Sequence, residues 1–230
     1  MTVHFEDSVG AQTLPVSALE SASRTGKFGI YRSVGKRACD ILFVLTAAPI
    51  GLVLVIIAAL LSAVGGRHWP FFYQLRVGRS GRVFRLVKIR TMIPNAHEHL
   101  EAYLAKNPAA RREWNEKQKL ENDPRITRFG SFLRKTSLDE MPQLWNVLIG
   151  DMSIVGPRPM MLDQQKLYPG VDYYELRPGV TGPWQISDRS LGSFAGRAVF
   201  DTEYNETLSL KTDLHVLACT TGVVLRCTGR

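Results

Sequence analysis

Two adjacent carboxylates, Asp139 and Glu140, stand in Arg134-Lys-Thr-Ser-Leu-Asp-Glu-Met-Pro-Gln143, behind two basic side chains and ahead of an apolar run from Leu144 to Ile149. A carboxylate placed beside arginines at a helix start can meet a phosphate. The same residues also fit a plain capping box, in which Ser137 bonds the amide of residue 140 and Glu140 reaches back to the amide of residue 137. The two readings are compatible, because a helix N-terminus attracts phosphate through its unpaired N–H groups and its dipole. Further along, Gly156-Pro-Arg-Pro159 holds Arg158 between two prolines, which stiffens the backbone around a side chain whose planar fork matches a phosphate. Arg177-Pro-Gly-Val-Thr-Gly182 repeats that design around Arg177. Each of these loops, taken alone, is also an ordinary turn.

These residues need elements to hold them. Residues 71 to 92 alternate partly in period two on either side of Gly78-Arg-Ser-Gly81, which predicts a short β-hairpin. Its second strand interleaves apolar side chains with Arg82, Arg85, Lys88 and Arg90, and alternation puts Lys88 and Arg90 on one face. A basic strand of this kind reads as a solvated edge, as a single-strand nucleic-acid surface, or as a face toward headgroups or an anionic ligand. From Asn95 to Leu120 the chain is polar and helical, divided by Pro108, with Leu100, Tyr103 and Leu104 at core spacing; Trp114 suits a membrane interface or a packing anchor. Asp163 to Tyr168 reads as helical. So does part of Asp201 to Leu225, whose Leu208, Leu214, Leu217 and Val224 form a stripe for a core or a membrane surface.

The strongest single signal is an uncharged apolar run from Ile41 to Val64, introduced by Lys36 and Arg37 and closed by Gly65-Gly-Arg-His68. As a straight helix it would be ~36 Å long, enough for a ~30 Å hydrocarbon core. Pro49, followed by Gly51, removes a helical hydrogen bond about a third of the way along. Basic residues flank both ends, and the positive-inside tendency keeps both flanks in the cytoplasm. A re-entrant helix broken at Pro49 satisfies both observations, whereas a straight span leaves one basic flank outside.

The chain has 230 residues, enough for one sizeable core, and a formal net charge of +8, which points to a polyanionic partner: nucleic acid, anionic lipid or a phosphorylated ligand. Its three cysteines, Cys39, Cys219 and Cys227, have neither disulfide-framework nor zinc spacing, which fits a reducing cytosolic setting. The expected organisation is a loosely ordered tail over residues 1–34, a membrane-inserted helical segment over 35–66, and a cytosolic catalytic domain over 67–230.

Taken together, the apolar run with its central proline, Lys88-Ile-Arg-Thr-Met92, Asp123-Pro-Arg125, Leu133 to Gln143, Ser153-Ile-Val-Gly-Pro-Arg-Pro159 and Arg177 to Gly182 resemble the bacterial sugar transferase family. Its members are monotopic polyprenyl-phosphate phosphoglycosyl transferases, and the likeness runs in order over about residues 33 to 227. It is greatest toward the short rhizobial-type exopolysaccharide galactosyl-phosphate transferases. Members often carry Ser before the membrane proline; Ala48 stands there in this chain.

The resemblance implies an α+β fold, mostly helical, with a re-entrant membrane helix, interfacial helices and a small hairpin around a compact catalytic core. It implies transfer of a sugar 1-phosphate from a UDP-sugar to undecaprenyl phosphate, with release of UMP, at the cytoplasmic face of the bacterial inner membrane. Asp139 matches the family nucleophile and Glu140 its second acid, the pair being expected to bind Mg²⁺. Lys88, Arg90, Arg134, Arg158 and Arg177 are the expected phosphate contacts. Galactose is the expected sugar and glucose the alternative. Expected partners are the UDP-sugar, undecaprenyl phosphate and membrane lipid, with no nucleic acid, and with a homodimer or downstream glycosyltransferases as further possibilities. Two other functions fit less of the pattern: a non-catalytic membrane scaffold for polysaccharide assembly, and a membrane-tethered nucleic-acid binder, which lacks a recognisable binding module.

Overall fold

A computed structural model describes residues 29–66, 69–187 and 193–226. Most of the expected tail, residues 1–28, lies outside the described residues, as do Arg67 and Cys227. Helical structure is already present at Tyr31–Gly35, a single π-helical turn inside the segment that composition reads as loose. It runs into α1, Lys36–Gly66, which contains Pro49. The helix continues through that proline, where the sequence predicts a break. Proline takes one hydrogen bond out of the ladder, at the carbonyl four residues back, and the bonds on either side keep the helix going.

The apolar side chains of α1 are largely uncovered, Ile50 being 71% exposed and Leu42 64%. Tyr31–Ala63 is long and apolar enough to cross a membrane. Yet the helix touches the rest of the protein near both of its ends. Near its start, Arg37 donates to the carbonyls of Val147 and Leu148, and Lys36 pairs with Asp213 at 2.7 Å. Near its far end, Ala58 packs with Ile89 and Leu133, and Ser62 Oγ donates to the Arg90 carbonyl at 3.4 Å.

One buried tie matters for the site. Asp40 of α1 is 4% exposed, and its Oδ1 accepts from Ser153 Oγ and from the Ile154 amide, both at 2.9 Å. Asp40→Ala would leave that buried amide unpaired, so the variant is expected to lose about 1–3 kcal/mol of stability. Asp40→Asn, which retains an acceptor oxygen, should lose less; thermal unfolding of the purified protein in detergent measures both.

The hairpin forms as read: β1, Phe71–Val77, pairs antiparallel with β2, Val83–Ile89. Two helices follow, α2, Ala96–Lys106, and α3, Pro108–Lys117, separated as Pro108 requires. Trp114 is a packing anchor, set against Leu100, Leu104 and Leu120 with the Arg125 guanidinium 5.6 Å from its ring centroid. Next come α4, Arg128–Lys135, and α5, Gln143–Ile149. Strands β3, Ser153–Val155, and β4, Gly179–Thr181, pair in parallel. The helices α6, Pro183–Ile186, α7, Arg197–Thr207, and α8, Leu210–Leu225, complete the described chain. Only a 3₁₀ turn, Asp163–Leu167, forms where a helix is expected to reach Tyr168.

The main core joins these pieces: Phe84 and Leu86 of β2, Val147 of α5, Met152, Ile154 and Val155 around β3, and Tyr204 and Val216 of α7 and α8. Of the α8 stripe, Leu217 packs on this core, as does Leu208 just before the helix, while Leu214 stays 57% exposed. Asn146 locks α5 to the hairpin by donating to the Arg85 carbonyl at 2.8 Å and accepting from the Val87 amide at 3.1 Å. An amide side chain that extends a strand edge fixes both register and orientation. Backbone contact between the loops flanking β3 and β4 is very close: a Cβ on Gly156 would sit 2.3 Å from the Arg177 carbonyl oxygen, so only glycine fits.

Candidate active site

The acid pair sits on a 3₁₀ turn, Leu138–Glu140, between α4 and α5. The expected capping box does not form. Ser137 adopts a left-handed backbone, φ 56°, and its side chain makes no cap bond; the Glu140 amide donates to the Ser137 carbonyl instead, at 3.2 Å. The chain has to turn between two helices here, and the left-handed residue that makes the turn carries the Ser137 hydroxyl away from a capping position. Glu140 faces Arg158 instead, with Oε1 3.8 Å from Nη1.

Asp139 is 5% exposed. Burial, and then the adjacent Glu140, push its carboxyl up to about 6, against the pull of Lys88, Arg134 and Arg158. Those three cations come from three elements. Lys88 reaches the site from β2, where burial and the neighbouring Arg76 and Arg134 push its ammonium down to about 8. Arg134 comes from the last turn of α4; burial lowers it, and Asp139 is the largest effect in the other direction. Its Nε donates to Thr91 Oγ1 at 2.9 Å, which aims the guanidinium. Arg158 comes from the double-proline loop behind β3.

Arg134 depends on how α4 is docked. Thr127 caps α4 by accepting from the Gly130 amide, and its own amide donates to the Thr91 carbonyl at 3.0 Å. A Cβ on Gly130 would lie 2.0 Å from that same carbonyl oxygen, a contact that cannot be relieved without moving backbone. Gly130→Ala is therefore expected to cost ~1–3 kcal/mol of stability and to displace Arg134. A drop in melting temperature together with weakened binding of a phosphorylated ligand would show both effects.

Of the expected phosphate contacts, the structure brings Lys88, Arg134 and Arg158 to the acid pair. Arg90 falls just past the end of β2; its Nε is buried without a partner among the described residues, and its carbonyl is the one held by Ser62 of α1. Arg177 is placed elsewhere. Its Nε donates to the Gly150 carbonyl at 3.0 Å, and its charged neighbours are Arg79, Arg37 and Asp40, beside the start of α1. The Gly/Pro loops around Arg158 and Arg177 are alike in sequence, but they lie on neighbouring parallel strands and send their arginines to different surroundings.

Two site residues escape sequence reasoning. Arg76 pairs opposite Phe84 and Lys88 opposite Phe72, so antiparallel register puts Arg76 and Lys88 on one face of the hairpin. Arg76 was legible in principle, because strand alternation can be extended across a predicted turn. Arg197 of α7 is brought in by tertiary packing alone, and lies close enough to Arg158 and Arg76 for each to weaken its charge.

Cation binding has a limited donor set. Among the described residues no group of three or more His, Cys, Asp or Glu could hold a metal ion. Two carboxylates are nevertheless sufficient for Mg²⁺, which commonly takes one or two protein carboxylates and completes its shell with water and substrate phosphate. The mutual repulsion that raises Asp139 is what a divalent cation would relieve, so Asp139 and Glu140 fit that ion.

The profile of the family described as Bacterial sugar transferase matches residues 31–227. The chain belongs to the bacterial sugar transferase family. It is 48% identical over 194 residues to the UDP-galactose-lipid carrier transferase of Erwinia amylovora, covering 83% of this chain and 40% of that protein. It is 44% identical over 191 residues to the undecaprenyl-phosphate galactose phosphotransferase of Salmonella typhimurium, covering 82% and 39%. The chain thus spans about two fifths of the length of these longer family members. Over 197 residues it is 42% identical to the exopolysaccharide production protein ExoY of Sinorhizobium fredii, covering 84% of this chain and 86% of that one.

Proposed function

We propose that this member of the family transfers a sugar 1-phosphate from a UDP-sugar to undecaprenyl phosphate, releasing UMP, as the first step in building an exopolysaccharide repeat unit. The observation that carries the proposal is a buried carboxylate, Asp139, ringed by Lys88, Arg134 and Arg158 and next to a second acid. Such a ring is costly to assemble without an anionic ligand, since like charges are brought together out of water.

In the first step an Asp139 oxygen attacks the sugar-bearing phosphorus and the bond to the bridging oxygen breaks. The electron pair stays on that oxygen, which departs with UMP. The phosphosugar is left on Asp139 as an acyl phosphate, a mixed anhydride, and a phosphate oxygen of the lipid then attacks the same phosphorus and returns the electron pair to the carboxylate. Dividing the displacement in this way lets one site serve a soluble donor and a lipid acceptor in turn. Lys88, Arg134 and Arg158 neutralise the equatorial oxygens as charge builds on them. Mg²⁺ held by Asp139 and Glu140 would supply further neutralisation of the diphosphate.

The position of α1 supports a re-entrant placement in the cytoplasmic leaflet of the inner membrane. Contacts at Lys36 and at Ser62 are made to the same catalytic body, which favours a helix whose two ends stay on one side of the membrane over one that carries its far end across. A site at headgroup level is where a nucleotide sugar and a lipid phosphate meet. Galactose is the proposed sugar, because two of the similar proteins are named for galactose transfer.

The test is UMP release by protein in nanodiscs with undecaprenyl phosphate and Mg²⁺, offered UDP-galactose and UDP-glucose separately. Lipid- and metal-dependent release, faster with UDP-galactose, is expected. Faster release with UDP-glucose changes the sugar, and no release from either donor by folded protein refutes the transferase.

A further inference from the structure

The cationic lining extends past Asp139 to a group that the transfer step leaves unassigned. Arg158 stands between two groups: its Nη1 lies 3.8 Å from Glu140 of the acid pair, the carbonyl of the next residue, Pro159, accepts from Arg76, and the Phe194 ring beneath Arg197 packs in one cluster with Val77, the residue after Arg76. Burial and then Arg158 push Arg76 down to about 10 and Arg197 down to about 9. The Nε atoms of both arginines are buried and have no hydrogen-bond partner among the described residues.

Both guanidiniums are held rigidly. Arg76 donates from Nη1 to the Pro159 carbonyl at 3.0 Å and from Nη2 to Gln74 Oε1 at 2.6 Å. Arg197 lies over Trp184, 4.2 Å from the ring centroid, and 4.5 Å from that of Phe194. Nearby acids compensate only in part: Asp201, the carboxylate closest in effect to Arg197, accepts from Tyr168 at 2.7 Å and is itself pushed up to about 6, chiefly by burial. Fixed, half-buried arginines whose Nε donors are buried and unused, beside a third arginine, are suited to an anion.

We propose that Arg76 and Arg197 form a second anion station, which holds whichever phosphomonoester stands opposite Asp139: the departing nucleoside monophosphate in the first step and the lipid phosphate in the second. The inference rests on the covalent reading above and adds a geometric requirement. In each displacement the attacking and leaving oxygens are roughly in line across the phosphorus. If Asp139 occupies one side in both steps, the nucleotide must leave from, and the lipid phosphate must arrive at, the other side. One station then serves both substrates, and UMP competes with undecaprenyl phosphate for it.

The test uses the full chain in nanodiscs, with Asp139→Asn added for binding measurements so that nothing turns over. Arg197→Gln and Arg76→Gln are expected to weaken UMP binding by calorimetry about 10–100-fold, the loss of one charged hydrogen bond. With Asp139 present, the same variants should raise the KM for undecaprenyl phosphate by a similar factor, and UMP inhibition should be competitive toward the lipid. Arg197→Lys and Arg76→Lys, which keep the charge, should recover part of the affinity and control for folding. Unchanged UMP affinity in both Gln variants with a reduced kcat would make these positioning residues and overturn the proposal. A loss confined to UMP or to the lipid would overturn the shared station. Failure of Asp139→Asn with arginines intact to bind UMP or UDP-galactose would instead contradict the underlying transferase reading.

Discussion

Replacing Asp139 with Asn is expected to abolish UMP release, with a loss of at least about 10³-fold, the scale on which enzymes respond to removal of a nucleophile. An amide has no negative oxygen to attack phosphorus and cannot leave again as a stable carboxylate. Donor binding should survive, because Lys88, Arg134 and Arg158 remain and the repulsion between Asp139 and Glu140 is removed. Calorimetry with UDP-galactose beside the UMP assay separates the two properties. Loss of turnover with retained binding identifies an enzyme that works through Asp139, whereas a membrane scaffold would show no turnover in either protein.

Lys88→Gln is expected to lower kcat/KM about 10²-fold, as does removal of one fixed donor to a developing charge. It should also change the pH dependence. With Asp139 pushed up to about 6 and Lys88 pushed down to about 8, kcat/KM should be bell-shaped. Below the first value the nucleophile is protonated and cannot attack, so activity rises with pH up to about 6, and Mg²⁺ at the acid pair, by relieving the repulsion, moves that limb lower. Above the second, Lys88 has lost its proton and no longer neutralises the phosphate, so activity falls through about 8. The Gln variant should lose the falling limb and keep the rising one, moved upward because Lys88 no longer holds the Asp139 carboxyl down.

Much of this site could be read from local pattern. The acid pair, the stiffened loop that carries Arg158, the hairpin and the alternation that sets the face of Lys88 are all contained in stretches of a few residues. The uncharged run of α1 was equally plain, although the effect of Pro49 was not: a missing hydrogen bond can be absorbed by a long helix, and periodicity cannot say whether it is. Long-range pairing was hidden. β3 and β4 are three residues each and pair across more than twenty intervening residues, so no repeat or alternation announces them. Their pairing sends Arg177 toward Gly150 and the start of α1, whereas loop chemistry alone puts it with the phosphate contacts.

Asp40 and Arg197 show the same limit from the other side. Asp40 reads as a charge at the edge of an apolar run, and its role depends on Ser153 and Ile154, more than a hundred residues away. Arg197 lies in a polar helix with no motif around it, and its significance comes from the aromatic rings beneath it and the arginines beside it. Ser137 was misleading for a local reason, since a good cap residue was taken up by the turn itself.

The central claim is a covalent phosphosugar on Asp139, and intact-protein mass spectrometry tests it most directly. Protein free of undecaprenyl phosphate is incubated with UDP-galactose and Mg²⁺, quenched and weighed, then digested to locate any added mass. The expected result is a gain of one hexose phosphate on the peptide containing Asp139, absent in Asp139→Asn and discharged when undecaprenyl phosphate is added. Turnover of the complete mixture with no adduct under any quench, or an adduct on another residue, would contradict it.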